Sequence, residues 1–223
     1  MRKGLFGGAM LRFGGGVILL GLLLFVPAGT LDWWQGWLLM GALFIPMFFA
    51  GLVMLWRAPA LLRRRLSARE AEPEQRRVIV FSGLMFLAAF ALAGLNRRFG
   101  WLTLPDPVCW AAAAVFLLGY LLYAEVLREN VWLSRTVEVQ RGQRVVDTGL
   151  YGVVRHPMYT ATLLMFLSMP LILGSIPSFA VMLFYLPILR RRILNEEAVL
   201  SEGLEGYADY MKRVRYRLIP CIW

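Results

Sequence analysis

Charge is missing from five long stretches of this chain, and that pattern decides the solvent in which it folds. Phe13 to Leu31 spans 19 residues without a charged side chain, Gly36 to Trp56 spans 21, and Val78 to Leu95 spans 18. A helix rises ~1.5 Å per residue, so each of these crosses a hydrocarbon core of ~30 Å. Val108 to Ala124 is a fourth such run at 17 residues, with Pro105 and Pro107 in front and Glu125 behind. The fifth, Met158 to Leu189, is 32 residues long and is interrupted by Pro170, Gly174 and Pro177. Two full crossings need ~40 residues. This run is therefore expected as a helical hairpin whose arms only just cross or dip in and return, turning near Leu173-Gly174-Ser175-Ile176-Pro177.

Composition agrees: 59% of residues are hydrophobic and 17% charged, against about 45–50% and about 25% in soluble domains. Disorder, collagen-like repeats and a secreted disulfide scaffold are excluded on the same ground. The two cysteines, Cys109 in an apolar run and Cys221 near the end, are expected as free thiols. Arg2, Lys3 and Arg12 before the first run resemble the start of a signal peptide. That run, however, leads into Asp32-Trp33-Trp34-Gln35-Gly36-Trp37, where tryptophans suit an interfacial belt better than a cleavage site. The segment is expected in the mature protein.

The net charge of +10 is nearly all arginine, Lys3 and Lys212 being the only lysines. No nucleic-acid recognition fold shows, and the basic clusters sit between apolar runs, where arginine sets membrane topology. Arg57 to Arg77 holds seven arginines against Glu70, Glu72 and Glu74, and further clusters lie between Arg128 and Arg155 and from Arg190 to Arg217. All fall on one side of a four-span-plus-hairpin arrangement with both termini, which marks that side as cytoplasmic; Arg97 and Arg98 fall on the other. The fold expected is an all-α polytopic transmembrane bundle of four spans, a C-terminal helical hairpin and an amphipathic tail helix. Residues 1–77 would form N-terminal spans with a basic cytoplasmic loop, and residues 78–223 a catalytic membrane region.

Groups capable of chemistry concentrate at 149–159 and 190–220. His156, the only histidine, directly precedes Pro157. Proline suits the first position of a helix and pushes its predecessor out of helical geometry, so His156 is expected at the N-cap. Unpaired N–H groups and the dipole there favour an anion, with Arg155 beside it; the alternative is a helix anchored at the interface. A lone histidine cannot assemble a metal site. In Arg190-Arg191-Arg192-Ile193-Leu194-Asn195-Glu196-Glu197, Arg192 and Glu196 form an i,i+4 pair. Neighbouring carboxylates point about 100° apart on a helix, so one can pair with arginine while the other faces a site. Ala198, Leu200, Leu204, Tyr207 and Met211 continue as a rough helical stripe. The chain has no Gly-x-Gly-x-x-Gly strand-helix unit, Walker motif, Cys-x-x-Cys pair or Gly-x-Ser-x-Gly elbow.

The last third of the chain resembles the isoprenylcysteine carboxyl methyltransferases and their relatives the phospholipid N-methyltransferases. The resemblance rests on Gly149-Leu150-Tyr151 leading into Arg155-His156-Pro157-Met158-Tyr159, then Glu196-Glu197-Ala198-Val199-Leu200, Gly206-Tyr207-Ala208-Asp209-Tyr210 and Arg213 to Pro220. It implies a membrane methyltransferase binding S-adenosylmethionine on the cytoplasmic side without a Rossmann fold. By the same resemblance, Gly149, Leu150, Tyr151, Arg155, His156, Pro157, Tyr159, Glu197 and Tyr207 would bind the cofactor. Arg192 and Glu196 would act on a lipophilic acceptor entering from the bilayer. That acceptor would be an isoprenylcysteine-like carboxylate or a related small lipid or thiol. Membrane sterol reductases share an Arg-His-x-x-Tyr motif but bind NADPH; reduction, phospholipid N-methylation and a non-enzymatic membrane role are the alternatives.

Overall fold

The structure is a computed structural model and describes residues 2–59, 62–63, 73–133 and 139–223. Most of the basic loop between Arg57 and Arg77, including Glu70 and Glu72, lies outside the described residues. Each of the first four charge-free runs forms a helix, which extends past the run at both ends in the second, third and fourth and stops at Ala28, short of Leu31, in the first. α1 covers Arg2–Ala28, α2 Trp34–Arg57, α3 Pro73–Phe99 and α4 Asp106–Glu129. Among the described residues, these four are long and apolar enough to cross a membrane.

The helices stop where the backbone needs glycine. Gly29, with φ +68°, follows α1 and donates its N–H to Phe25 O at 3.0 Å; Gly100, with φ +63°, follows α3 and donates to Asn96 O at 2.8 Å. A left-handed residue just past the last turn satisfies its carbonyls, and glycine adopts it without strain. The α3–α4 turn is tied from within by buried Asn96, which accepts from Leu102 N at 3.0 Å and donates to Leu102 O at 3.3 Å. Arg97 reaches across to Asp32 O at 3.1 Å. The two arginines that fell on the far side thus serve in closing that end: Arg98 covers Gly29 and lies over the Phe99 ring.

The hairpin forms with a shape that the apolar run did not fully disclose. α5 covers Pro157–Ile172, and Gly174, at φ +67°, makes the turn within the expected pentapeptide. The return arm is then split into α6, Ile176–Met182, and α7, Tyr185–Gly203. Pro187 lies in the first turn of α7, where its missing N–H costs no helical bond. α7 carries on well past the end of the charge-free run, so the arginines and glutamates after Leu189 stay on one helix. The turn meets the α3–α4 loop: Leu104 N donates to Gly174 O at 3.0 Å and Ile176 N to Leu102 O at 3.2 Å. The hairpin therefore runs the full height of the bundle, from the α4 exit to the loop at the opposite end.

Packing inside is close, as lipid-solvated helices require, since lipid supplies no hydrophobic drive between them. Leu24, Phe25, Leu39, Phe90, Phe116, Met165 and Ile172, drawn from five helices, form the main core. A Cβ on Gly94 would lie 2.5 Å from Leu24 O, and one on Gly119 would lie 2.6 Å from Met165 Cγ and 3.1 Å from Ala161 O. Gly119, Ala112 and Ala113 are thus contact surface between helices, whereas a Cβ on Gly83 would meet nothing within 4 Å. Trp33 departs from the expected interfacial belt. It is buried against Phe25 and Gly36, while Trp34, Trp37, Trp101 and Trp110 stay exposed at that end. The expected amphipathic tail helix is also interrupted. Gly206, at φ +81°, breaks the stripe, and α8 covers only Tyr207–Arg213.

Gly94→Ala should destabilise the detergent-solubilised protein by about 1–3 kcal/mol, the usual cost of overpacking. Gly83→Ala should cause no loss, with denaturant midpoints as the measure.

Candidate active site

At the end of the bundle away from the hairpin turn, three chain segments meet on one carboxylate. Glu197, on α7, is 6% exposed. Its Oε1 accepts from Arg155 Nε at 2.7 Å and lies 3.2 Å from His156 Nε2, while its Oε2 accepts from Arg217 Nε at 2.8 Å. Burial by itself would raise this carboxyl's pKa. The bonds from His156, Arg155 and Arg217 outweigh it and hold the value at about 2, below the ordinary 4.5.

The local backbone explains how Arg155 and His156 reach it. Pro157 opens α5 and His156 is its N-cap, at φ −126° and ψ 60°. The tail runs alongside: Arg155 N donates to Tyr216 O and His156 N to Arg217 O, both at 2.9 Å. Arg155 Nη1 adds bonds to Val214 O at 2.7 Å and Arg215 O at 2.9 Å, and Thr160 Oγ1 donates to Leu218 O at 2.8 Å. The helix start that the sequence marks as an anion site is thus largely engaged by the tail's own carbonyls.

Glu196 turns the other way, as the 100° offset requires. Tyr159, in the first turn of α5, donates its hydroxyl to Glu196 Oε2 at 2.5 Å and accepts from Arg192 Nε at 2.7 Å. The Arg192 guanidinium also lies 5.8 Å over the Tyr159 ring, and the His156 ring stacks on its neighbour Tyr159 at 5.7 Å. Tyr151 comes from a short 3₁₀ turn, Gly149–Gly152. Its hydroxyl accepts from Asn130 Nδ2 at 2.9 Å, its carbonyl accepts from Tyr210 at 2.8 Å, and burial pushes its pKa up to about 12. Gly149 sits at φ +54° with Glu129 so close that a Cβ would be 3.1 Å from the carboxyl carbon; Thr148 bonds that same carboxylate.

These groups surround one cleft. Of the residues singled out in the sequence, Tyr151, Arg155, His156, Tyr159, Arg192, Glu196 and Tyr207 line it. Gly149, Leu150, Pro157 and Glu197 stand behind the lining and shape it. Sequence reasoning missed the opposite wall, where Asn130, Trp132, Arg144 and Val145 come from the segment after α4. It also gave Arg217 no role, although that residue lies inside the Arg213 to Pro220 segment that carries part of the resemblance. Nothing in local spacing marks these wall residues, because they meet α7 and α8 only across long stretches of chain.

Residues 108–205, from within α4 to just past the end of α7, match the family model described as phospholipid methyltransferase. Curated relatives include the Delta(14)-sterol reductase TM7SF2 of Mus musculus, 32% identical over 91 residues, 40% of this chain and 22% of that protein. The Delta(14)-sterol reductase of Methylotuvimicrobium alcaliphilum is 28% identical over 128 residues, 51% of this chain and 30% of that protein. The nickel-cobalt-cadmium resistance protein NccN of Alcaligenes xylosoxydans xylosoxydans is 24% identical over 109 residues, 47% of this chain and 49% of that protein. The chain spans less than half the length of each of these relatives.

A carboxylate held below its ordinary pKa stabilises the fold fully above pH 4.5, and that contribution is lost as pH falls through about 2. The stability gap between wild type and Glu197→Gln, measured as melting midpoints by tryptophan fluorescence, should therefore be about 3 kcal/mol near neutral pH and close between pH 4.5 and 2. A gap that stays constant across that interval would mean that Glu197 is not ionised in this cluster.

Proposed function

We propose that the protein is an integral membrane methyltransferase that takes its methyl group from S-adenosylmethionine and delivers it to a lipophilic acceptor, of which an isoprenylcysteine-like carboxylate is the leading type. The observation that carries this reading is the convergence, within or beside the family-matched stretch, of Arg192, Tyr159 and Glu196 on one cleft at the end of a membrane bundle. When bound, the cofactor supplies an electrophilic methyl on a sulfonium. The lining fits such a molecule, which is zwitterionic at one end and aromatic at the other. It has cations in Arg155 and Arg192, a carboxylate in Glu196, and aromatic and aliphatic faces in Trp132, Tyr207, Leu200 and Leu204.

The residues divide the work. Tyr159, its own hydroxyl donated to Glu196, accepts from Arg192 Nε, so the guanidinium is oriented before an acceptor arrives. An acceptor carboxylate is already nucleophilic when ionised and needs orientation rather than a base. A phospholipid amine would need its proton removed, and Glu196 through Tyr159 Oη is the group placed to receive it. Arg155 and His156 form the cofactor wall, held by Glu197 and the tail. Met158, Leu200, Leu204 and Val146 give the cleft apolar surface next to its charges, which suits an acceptor arriving from lipid while the cofactor arrives from water. The arginine clusters at this end support a cytoplasmic site.

The sterol reductases among the relatives favour a second reading, an oxidoreductase using NADPH. One set of measurements separates the two. Calorimetry on purified protein should show binding of S-adenosylhomocysteine and none of NADPH. Arg192→Ala should lower kcat for labelled methyl transfer to a prenylcysteine analogue about 10- to 100-fold while leaving product affinity within about 3-fold, the pattern of a contact made mainly in the transition state. Tight NADPH binding without methyl-donor binding would establish the reductase reading instead.

A further inference from the structure

A second cleft lies between the first two helices. Arg98 covers Gly29 at the α3–α4 end of the bundle, so α1 starts and α2 finishes at the opposite end, the one that carries the active site. There residues 6–13 of α1 and 47–55 of α2 part around an open space, with Leu62 beyond α2 added to its wall. The floor is aromatic: the Phe13 ring packs on Phe44 and on Phe48, each at 5.6 Å. Gly51 lines the same space, and a Cβ on it would meet nothing within 4 Å. Glycine inside a helix is destabilising relative to alanine, and in packed membrane helices it admits a close neighbour. Gly94 and Gly119 have such neighbours. Gly51 has none among the described residues, and it leaves room in the cleft instead.

Among the described residues that line this cleft, only Arg12 is charged. It has no hydrogen bond, ion pair or ring contact with another described residue. Its depth makes that costly. Exposed Trp34 and Trp37 mark the opposite face of the membrane beside Ala28, and from Ala28 back to Arg12 α1 rises ~24 Å, against a hydrocarbon core of ~30 Å. The Arg12 backbone therefore stands ~6 Å inside the boundary, and its side chain has to extend along the helix to reach the headgroup layer. A guanidinium in that position needs an anion above and has an apolar cleft beside it. A phospholipid of net negative charge presents both parts in that order: phosphate oxygens that a guanidinium binds in bidentate fashion, and below them an acyl chain.

We propose that the α1–α2 cleft holds one anionic phospholipid of the surrounding bilayer, with its phosphate on Arg12 and an acyl chain lying over Phe13, Phe48 and Gly51. This lipid is a resident of the fold and is distinct from the acceptor, because no residue of α1 or α2 lines the active-site cleft. The site stands whichever reaction the active site performs.

The test is native mass spectrometry of the delipidated protein in detergent, titrated with an equimolar mixture of palmitoyl-oleoyl phosphatidylglycerol and phosphatidylcholine. Wild type should retain a single phosphatidylglycerol, about tenfold in preference to phosphatidylcholine, as fits one charge-assisted contact. Arg12→Gln should remove that preference. Arg57→Gln, at the end of α2 but outside the cleft lining, should leave it within about 3-fold. Gly51→Phe should exclude both lipids by filling the space. A lipid that binds the folded state also raises its melting midpoint, so phosphatidylglycerol should raise that of wild type and not that of Arg12→Gln; this arm decides the matter even if Gly51→Phe fails to fold. Equal retention of the two lipids by wild type, a loss in Arg57→Gln as large as in Arg12→Gln, or phosphatidylglycerol still held by folded Gly51→Phe would each overturn the proposal. So would a wild-type dimer that Gly51→Phe converts to monomer, since the face would then belong to a second copy of the chain.

Discussion

The arrangement of the cleft depends on one buried carboxylate. Glu197 receives Arg155, His156 and Arg217 from two segments that are far apart in sequence from each other and from α7. Removing any of the three would leave charge in a buried place with fewer partners, which costs far more than the pair contributes when complete. The cluster is best understood as a device for position. It sets where α5 begins relative to α7, and thereby where Tyr159 meets Glu196 and Arg192. Two adjacent glutamates thus do different jobs for a geometric reason: one faces inward to hold the walls together, the other faces the space between them.

The membrane imposes the second constraint. A cleft with several charges cannot lie in hydrocarbon unless each is paired, and the apolar part of the hairpin ends at Leu189, one residue before the arginines begin. α7 continues unbroken across that border to Gly203, so a single helix carries both the apolar packing surface of Tyr185, Leu189 and Ile193 and the cleft-lining face of Arg192, Glu196 and Leu200. The site is built on a helix rather than a loop, and its spacing is fixed by the helical repeat.

Much of this was legible in the sequence. The four spans were marked by missing charge, the hairpin turn by Gly174, and the α5 start by Pro157. These are local signals, each set by residues within a few positions of the feature. The opposing jobs of Glu196 and Glu197 were half legible: their angular separation was certain, but which one faced inward depended on Arg217, twenty positions along. The wall of Asn130, Trp132, Arg144 and Val145 was not legible, because these side chains carry no spacing pattern and acquire meaning only against Leu200, Leu204 and Tyr207. Trp33 was misassigned for a similar reason. A tryptophan after an apolar run favours the interface on average, but the close approach of Gly36 and Phe25 made a buried slot for this one.

The tail that lies along Arg155 and His156 gives the protein an order of assembly. During synthesis the 155–156 segment leaves the ribosome first, Glu197 some forty residues later, and Arg217 last of the three. Until then, the backbone amides of Arg155 and His156 lack the carbonyls of Tyr216 and Arg217, and one oxygen of Glu197 lacks its guanidinium. The spans can be in the bilayer and packed well before that moment. The wall of the cleft is therefore completed by the segment made last of the three, a short peptide strap along the start of α5.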